Sequence, residues 1–393
     1  MATINRVDGT LTAAKRPKPE NRREVGVIDG VPAPPRTSPE MPDDCDLSPM
    51  ERLPSDALYQ IFAHLSLPQI LLCRSVCKLF HQTLTAPAFL CLLQPLSLLA
   101  IRGHVSPFPA LQALDPRENR WLRFSLDFLA SPSASPVAAS LGLLYLWVDS
   151  SEFSQRSLAV CNPLTRRFRL LPPLGSAWAR HGTVLVSGRR VLVLSELAVI
   201  SLAASDGPWQ KFSSNLASKP RSPTVIGDSV FALCDVGSPW RSQWKLFWCQ
   251  LSQLGRTHLW DPLERHDWSD VFDILKRPRL VPGVGNSILM IGGLKSSFAL
   301  NSPCSTILIV RLDLETLKWD EVSRMPGEMY QKFCMSGKFK VFGGGGRVWF
   351  SGKRVGRLAM WGPEGWRWVE GIRGNGDGLF RGFVFDASLT AVP

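Results

Sequence analysis

The sequence predicts a short α-helical module followed by a large all-β domain built from repeated four-stranded units, and three observations carry that prediction. Residues 53–80, LPSDALYQIFAHLSLPQILLCRSVCKLF, repeat apolar residues at helical spacing, with prolines between the runs. Beyond about residue 95 the apolar runs shorten and are broken by Gly, Pro, Ser and Asn at close intervals, the punctuation of strands and turns. Within that region one phrase recurs: an apolar strand, an Asp or Asn turn, then an aromatic residue beside a second strand.

Length and composition leave room for both parts. The 393 residues exceed one ordinary domain, and 45% hydrophobic content with 14 Trp and 20 Phe is ample for a large core. Residues 1–44 are the exception, rich in proline and in charges of both signs and without an aromatic residue. They bury too little to offset chain entropy and are expected to form a disordered arm. The start, MATINRVDG, lacks the basic region, apolar stretch and cleavage site of a secretory signal. The apolar windows 90–101 and 191–204 are interrupted by Gln, Pro or Glu, short of the ~18 uninterrupted residues of a membrane span. No membrane partner is expected. Nine cysteines, from Cys45 to Cys334 and without a CxxC pair, suit reduced thiols in the nucleus or cytoplasm, most of them as small core residues.

The formal charge is +12, in clusters at Lys15–Lys18 with Arg22 and Arg23, Arg166–Arg169, Arg189–Arg190, Lys276–Arg279 and Lys353–Arg357. Such a field favours acidic partners or nucleic acid, the plainer alternative being solvated loop tips. The segment KRPKPENRR (15–23) also has the composition of a nuclear-import patch.

The helical module divides at its prolines. Leu58, Ile61, Phe62 and Leu65 recur at i, i+3, i+4 and i+7, one face of an amphipathic helix. Pro54 presets its start, and Ser55 with Asp56 suits its first turn. Leu67-Pro68 stops that helix and begins a second over about Pro68–Arg74. Val76, Leu79, Phe80, Thr83 and Leu84 form a third stripe, which Pro87 ends. Three short helices bury too little of their own surface to be secure alone, so the apolar face calls for a partner.

Residues 50–90, MERLPSDALYQIFAHLSLPQILLCRSVCKLFHQTLTAPAFL, resemble the F-box, the module that docks onto the Skp-type adaptor of cullin-based ubiquitin ligases. The family's Leu-Pro start falls on Leu53-Pro54, its first apolar helix on Leu58–Leu65, and its next proline on Pro68. Its Val-Cys/Ser-Lys step falls on Val76-Cys77-Lys78 and its closing Pro-x-Phe on Pro87 and Phe89. Phe80 stands where many members carry Trp. The resemblance implies an F-box over residues 48–93 whose adaptor-binding residues are Leu53, Pro54, Leu58, Ile61, Phe62, Leu65, Leu71, Val76 and Phe80, with cullin reached through the adaptor.

The recurring β phrase stands at 111–124, 158–174, 200–212, 258–268, 309–326 and 358–372. Taking Trp121, Phe168, Trp209, Trp268, Trp319 and Trp368 as equivalent, the spacing runs from 41 to 59 residues, the period of propeller blades. Hairpin sequences precede most of the phrases, at 142–148, 183–195, 225–234, 287–294 and 341–352, giving four strands per unit. Gly292-Gly293 and Gly343–Gly346 are expected where inner strand ends crowd. The pattern resembles the degenerate kelch repeats of plant F-box/kelch-repeat proteins, best kept at Leu312-Asp313-Leu314-Glu315-Thr316-Leu317-Lys318-Trp319. The expectation is a kelch-type β-propeller over residues 96–393, with six blades. The first unit lacks an inner hairpin while 382–392, GFVFDASLTAV, is a spare strand pair. That segment is expected to pair with the strands around 96–124, since an open ring exposes sheet edges.

Catalytic readings find little support. Gly343–Gly346 with Gly352-Lys353 has the wrong spacing for a phosphate loop, and Arg354 stands where Ser or Thr is needed. His258 and His266 near Cys249 lack close ligand spacing, and no GxSxG elbow is present. No metal, cofactor or enzymatic activity is expected. Trp244, Leu246 and Trp248 share one face of a strand and are expected to pack between blades. For the substrate side, Arg189, Arg190, Lys353 and Arg354 in hairpin turns are expected to form one positive rim, with Trp240 as an aromatic anchor. The functional expectation is the substrate-recognition subunit of a Skp-cullin-F-box ubiquitin ligase, the F-box holding the adaptor and the propeller an unidentified protein target. The alternative is a basic propeller scaffold that binds an acidic protein or nucleic acid without promoting ubiquitination.

Overall fold

The computed structural model describes residues 48–102, 110–129, 131, 133–149, 156–175, 181–203, 207–238, 240–254, 260–297, 303–336, 338–372 and 379–393. The N-terminal arm, the 15–23 patch, Cys45 and His258 lie outside them. Four short helices come first: α1 (Ser55–Ala63), α2 (Leu67–Cys73), α3 (Lys78–Thr85) and α4 (Pro87–Leu92). The fourth is one more than expected. Pro87 does end α3, but a proline also fits the first turn of a new helix, as Pro68 does in α2. Leu58, Phe62, Ile70, Leu84 and Phe89 are buried, and Phe62 meets Phe80 edge-on with ring centroids 4.9 Å apart. The start of α2 is closed by a capping box in which the Ser66 amide donates to Gln69 Oε1 at 2.8 Å. Arg74 Nη2 donates to the Leu84 carbonyl at 2.7 Å, fastening the end of α2 to α3.

The strands then follow in groups. The first three are β1 (Leu96–Arg102), β2 (Ala110–Asp115) and β3 (Arg120–Ser125). Four complete sets come next: β4 (Ala134–Ser140), β5 (Leu143–Asp149), β6 (Arg156–Asn162) and β7 (Arg167–Leu170); β8 (Thr183–Ser187), β9 (Arg190–Leu194), β10 (Ala198–Leu202) and β11 (Gln210–Ser213); β12 (Arg221–Ile226), β13 (Ser229–Asp235), β14 (Trp244–Gln250) and β15 (Asp261–Leu263); β16 (Leu275–Pro282), β17 (Ser287–Lys295), β18 (Cys304–Asp313) and β19 (Lys318–Arg324). The fifth complete set is β20 (Phe339–Gly344), β21 (Arg347–Gly352), β22 (Leu358–Gly362) and β23 (Gly365–Val369), and β24 (Arg381–Ala387) is last. Helices α5 (Ser269–Ile274) and α6 (Gly327–Ser336) connect sheets.

The described residues form six four-stranded antiparallel sheets, five of them from consecutive strands and the sixth in the order β24-β1-β2-β3. The innermost strands β4, β8, β12, β16, β20 and β24 each touch the next, and β24 touches β4, so the six-bladed propeller is closed. Its apolar core lies in the wedges between blades. Leu99, Ile101 and Leu114 pack on Phe342, Trp349, Leu358 and Met360 of the preceding blade. Phe231, Leu233, Trp244 and Leu246, with Trp248, pack on Leu280, Met290 and Leu308, as expected for that tryptophan face.

The recurring phrase has a common chemical cause. Asp115 Oδ1 accepts from the amides of Arg117 and Glu118, Asn162 Oδ1 from Leu164 and Thr165, and Asp313 Oδ1 from Glu315 and Thr316. Each side chain closes the turn between the third and fourth strands of its blade. Four residues after each, the backbone turns left-handed, at Asn119 (φ 51°), Arg166 (φ 58°) and Leu317 (φ 55°). The aromatic residue two positions later then lands on the outer strand, as Trp121, Phe168 and Trp319 do. Trp268 departs from this set. It sits in a 3-10 turn beyond β15, 3% exposed, and donates its indole N–H to the Leu317 carbonyl of the next blade at 3.2 Å.

The glycine expectation holds in part. Gly343 lies on the inner strand β20 with φ 153°, and a Cβ there would come within 2.2 Å of the Arg347 carbonyl oxygen. Gly292 and Gly293 instead lie on the second strand, β17, where a Cβ on Gly293 would meet Cys304 Sγ at 2.6 Å. The segment Gly343–Gly352 is strand, turn and strand, with no helix to cradle a phosphate. Of the eight described cysteines, Cys161, Cys234 and Cys249 are buried, while Cys77, Cys91 and Cys334 are exposed. Core packing therefore accounts for fewer of them than expected. Burial pushes the Cys161 thiol up to about 12, which leaves it un-ionised and inert.

Chain ends close the ring. β24 pairs with β1 from Leu96↔Ala387 to Arg102↔Arg381, burying Phe385 fully. Only one strand forms from the expected pair; the residues beyond it form an irregular tail held by Asn162. Asn162 Nδ2 donates to the carbonyls of Ser388 at 2.9 Å and Ala391 at 2.8 Å, and the residue is 0% exposed. Asn162→Ala removes both tail contacts and the turn acceptor. It is expected to cost about 2–4 kcal/mol, several unmade bonds at ~1 kcal/mol each. Asn162→Asp keeps the turn acceptor but sets a carboxylate oxygen against the Ser388 and Ala391 carbonyls in a fully buried site, so urea denaturation should find it at least as destabilised as Asn162→Ala.

Candidate functional site

The helical module sorts its apolar residues into two sets. Leu58 and Phe62 are each 3% exposed. They form the module's interior, which corrects the expectation that they face an adaptor: α1 must spend part of its stripe on α3 and α4. Leu65, Leu71 and Phe80 are half-buried. The side chains left on the outside are Ile61 at 48%, Val76 at 67% and Leu72 at 70%, with Pro54 also exposed. Leu53, in a short turn where its amide donates to the Met50 carbonyl at 3.4 Å, is 37% exposed. Leu72 escapes sequence reading because Ile70, Leu71 and Leu72 are consecutive, and a seven-residue helix has too few turns to show which of them faces outward.

The propeller has two ends, and topology assigns each loop to one of them. Inner strands run side by side in one direction: a Cβ on Gly382 would touch Phe342, and one on Gly344 approaches Val384. Turns between second and third strands therefore lie at the end where inner strands begin. Turns between first and second strands lie at the other end. Lys353 and Arg354, between β21 and β22, belong to the first end, and the Lys353 amide donates to the Lys338 carbonyl just before β20. Trp240, between β13 and β14, is there too and is 85% exposed. Arg189 and Arg190, where β8 turns into β9, are at the opposite end, and Arg190 is further engaged by a bond from Nη1 to the Leu251 carbonyl. The expected single rim does not form, because antiparallel alternation places these two turns on opposite faces.

A different set of cations converges at the first end. Arg221 opens β12, Arg277 and Arg279 lie near the start of β16, Lys340 near the start of β20, and Arg381 opens β24. Arg102 stands directly opposite Arg381 across the β1–β24 pair. Burial, then the neighbouring Arg221, Arg277 and Arg381 guanidiniums, bring Arg279 down to about 10. Burial and Arg381 do the same for Arg102, also to about 10. Lys340 is lowered by burial and then by Arg381, Arg279, Arg221 and Lys338. Beside this cluster, between the third and fourth blades, is a hollow of about 240 Å³ whose lining includes His181, Leu194, Glu196, Leu197, Lys219 and Pro220. His266, near Cys249 in sequence, is exposed, and the described residues contain no group of three His, Cys, Asp or Glu arranged to hold a metal ion.

Family models agree with the helical module and the propeller. An F-box domain model matches residues 50–92, and a Kelch motif model matches residues 279–326, which span most of the blade formed by β16–β19. SKP1-interacting partner 15 of Arabidopsis thaliana is 57% identical over 88% of this chain and 99% of its own. Protein UNUSUAL FLORAL ORGANS of Arabidopsis thaliana is 25% identical over 86% of this chain and 85% of its own. Among solved structures, TolB from Acinetobacter baumannii aligns over 78% of this chain and 69% of its own, with a TM-score of 0.46 and 11% identity. With its helical module and kelch-motif propeller in the order found here, and a relative similar from end to end, the chain belongs to the F-box protein family.

Proposed function

We propose that this protein is the substrate receptor of a Skp-cullin-F-box ubiquitin ligase, the F-box holding the Skp-type adaptor and the propeller holding the protein to be modified. The observation that carries the reading is 57% identity across nearly the whole of a protein named for its interaction with SKP1. Outward-facing Ile61, Leu72 and Val76 support it, since a small helical module leaves such residues in water only at a cost that a partner surface recovers. The receptor performs no bond chemistry. It raises the local concentration of target lysines near a ubiquitin-charged enzyme, and such tethering contributes to rate without a catalytic side chain. Cullin is reached through the adaptor, and the setting is the nucleus or cytoplasm.

The test is co-purification of the full chain with a Skp-type adaptor and cullin, followed by ubiquitin transfer to associated proteins. Adaptor and cullin retained in stoichiometric amount, with F-box-dependent transfer, is the expected result. Adaptor retained without transfer favours the scaffold alternative, and no adaptor overturns the reading.

A further inference from the structure

We propose that the end of the propeller where inner strands begin holds an anion-binding site, built by Arg221, Arg277, Arg279, Lys340 and Arg381, that takes an acidic or phosphorylated segment of the target protein. This deepens the receptor reading and rests on it. The site is built rather than scattered: its cations come from four successive inner strands, β12, β16, β20 and β24, which touch one another around the ring. Convergence of like charges on adjacent strands opposes folding, and Arg102 directly across from Arg381 is the plainest conflict. An anion resolves it.

Two further features point to a ligand. Arg221 lies with its guanidinium 4.3 Å from the Trp244 ring centroid, and its Nη1 is buried without a hydrogen-bond partner. A buried donor of that kind calls for an acceptor oxygen. The backbone is also bent to present these groups. Ser222 (φ 46°) and Arg277 (φ 54°) are left-handed residues immediately before Pro223 and Pro278, inside irregularities in the pairing of β12 and β16. Neither residue type favours that conformation, and such strain gathers where a side chain must be aimed.

The occupant follows from shape and charge. Asp235 is the acidic group that acts on Arg221, and its Oδ1 is already bonded to the amides of Gly237 and Gln243. The remaining cations suit carboxylate or phosphate oxygens, to which arginine binds in bidentate fashion. A cluster confined to the starts of adjacent inner strands, with Arg277 and Arg381 exposed and Arg221, Arg279 and Lys340 half-buried behind them, fits one extended chain carrying one or two anionic groups. A nucleic acid calls instead for cations spread along a track. Exposed Leu197 and Trp240 at the same end offer apolar contact to the flanking residues of such a segment.

The test uses the full chain and fluorescent peptides of one length: Glu-rich, phosphoserine-containing and Gln-rich, with a single-stranded oligonucleotide as a fourth probe. The wild type should bind one or both anionic peptides, more weakly as salt rises, and the Gln-rich peptide at least tenfold more weakly; which anionic peptide binds tighter identifies carboxylate or phosphate as the natural group. Arg277→Glu with Arg381→Glu should lose roughly tenfold or more in affinity, while Arg189→Glu at the opposite end stays at the wild-type value. Arg381→Gln, which removes the charge facing Arg102, should melt at or above the wild-type temperature. Equal binding by the charge-reversed variant, equal binding of the Gln-rich peptide, or tighter binding of the oligonucleotide overturns the proposal. Adaptor binding measured on the same preparations separates the two readings: if the wild type binds peptide but not adaptor, the receptor assignment fails and the anion site stands.

Discussion

A chain lacking residues 380–393 is expected to be insoluble, or to melt without a cooperative transition, although the loss is under a twentieth of the sequence. Those residues include β24, the innermost strand of the first blade, and seven pairs with β1 run along it. Its loss strips β1 of a partner and removes fully buried Phe385 from the core. Phe385→Ala alone is expected to cost about 3–5 kcal/mol. Seven unmade strand pairs, a newly open β1 edge and the lost core packing of β24 then exceed the ~5–15 kcal/mol that holds a folded domain together. The exposed β1 edge also templates association between chains. Size-exclusion chromatography and thermal melting of the truncated protein are the measurements. A monomer that melts with the wild type would mean that the ring closes by another route.

Replacing Ile61 and Val76 with Glu is expected to weaken adaptor binding by more than roughly 100-fold while leaving the melting temperature unchanged. Both side chains face outward, so no core packing is lost, yet two charges must then be buried at the docking surface, where hot-spot losses reach ~2 kcal/mol or more per residue. Leu53→Ala with Pro54→Ala is expected to act in the same direction. Phe62→Ala should behave differently, costing about 3–5 kcal/mol of stability because its ring fills the interior between α1, α3 and α4. Calorimetric titration of the adaptor, paired with thermal melts, separates the two classes. Unchanged Kd for the Glu variant would remove the outward face from the docking surface.

The two classes also show where sequence reading of the module ends. Apolar spacing identified the stripe of α1, and proline positions identified its boundaries. A stripe does not say which members meet their own module and which a partner: Phe62 and Ile61 are neighbours in sequence, one 3% and the other 48% exposed. Only the crossing of α3 and α4 over α1 makes that division.

The propeller divides in the same way. The sequence by itself determined the repeated unit, because each Asx turn needs a short acceptor at a fixed distance from a left-handed residue and an aromatic, and those are local requirements. It also determined that the last strand completes the first blade, since an odd strand must cover an open edge. What only the tertiary structure decided is which charges meet. Arg189-Arg190 and Lys353-Arg354 look equivalent as basic turns, but strand alternation sends them to opposite ends. Arg221, Arg277, Arg279, Lys340 and Arg381 are spread over 161 positions of sequence and belong to no common motif. They meet because the ring places the starts of successive inner strands side by side, and electrostatic energy depends on distance through space, not along the chain.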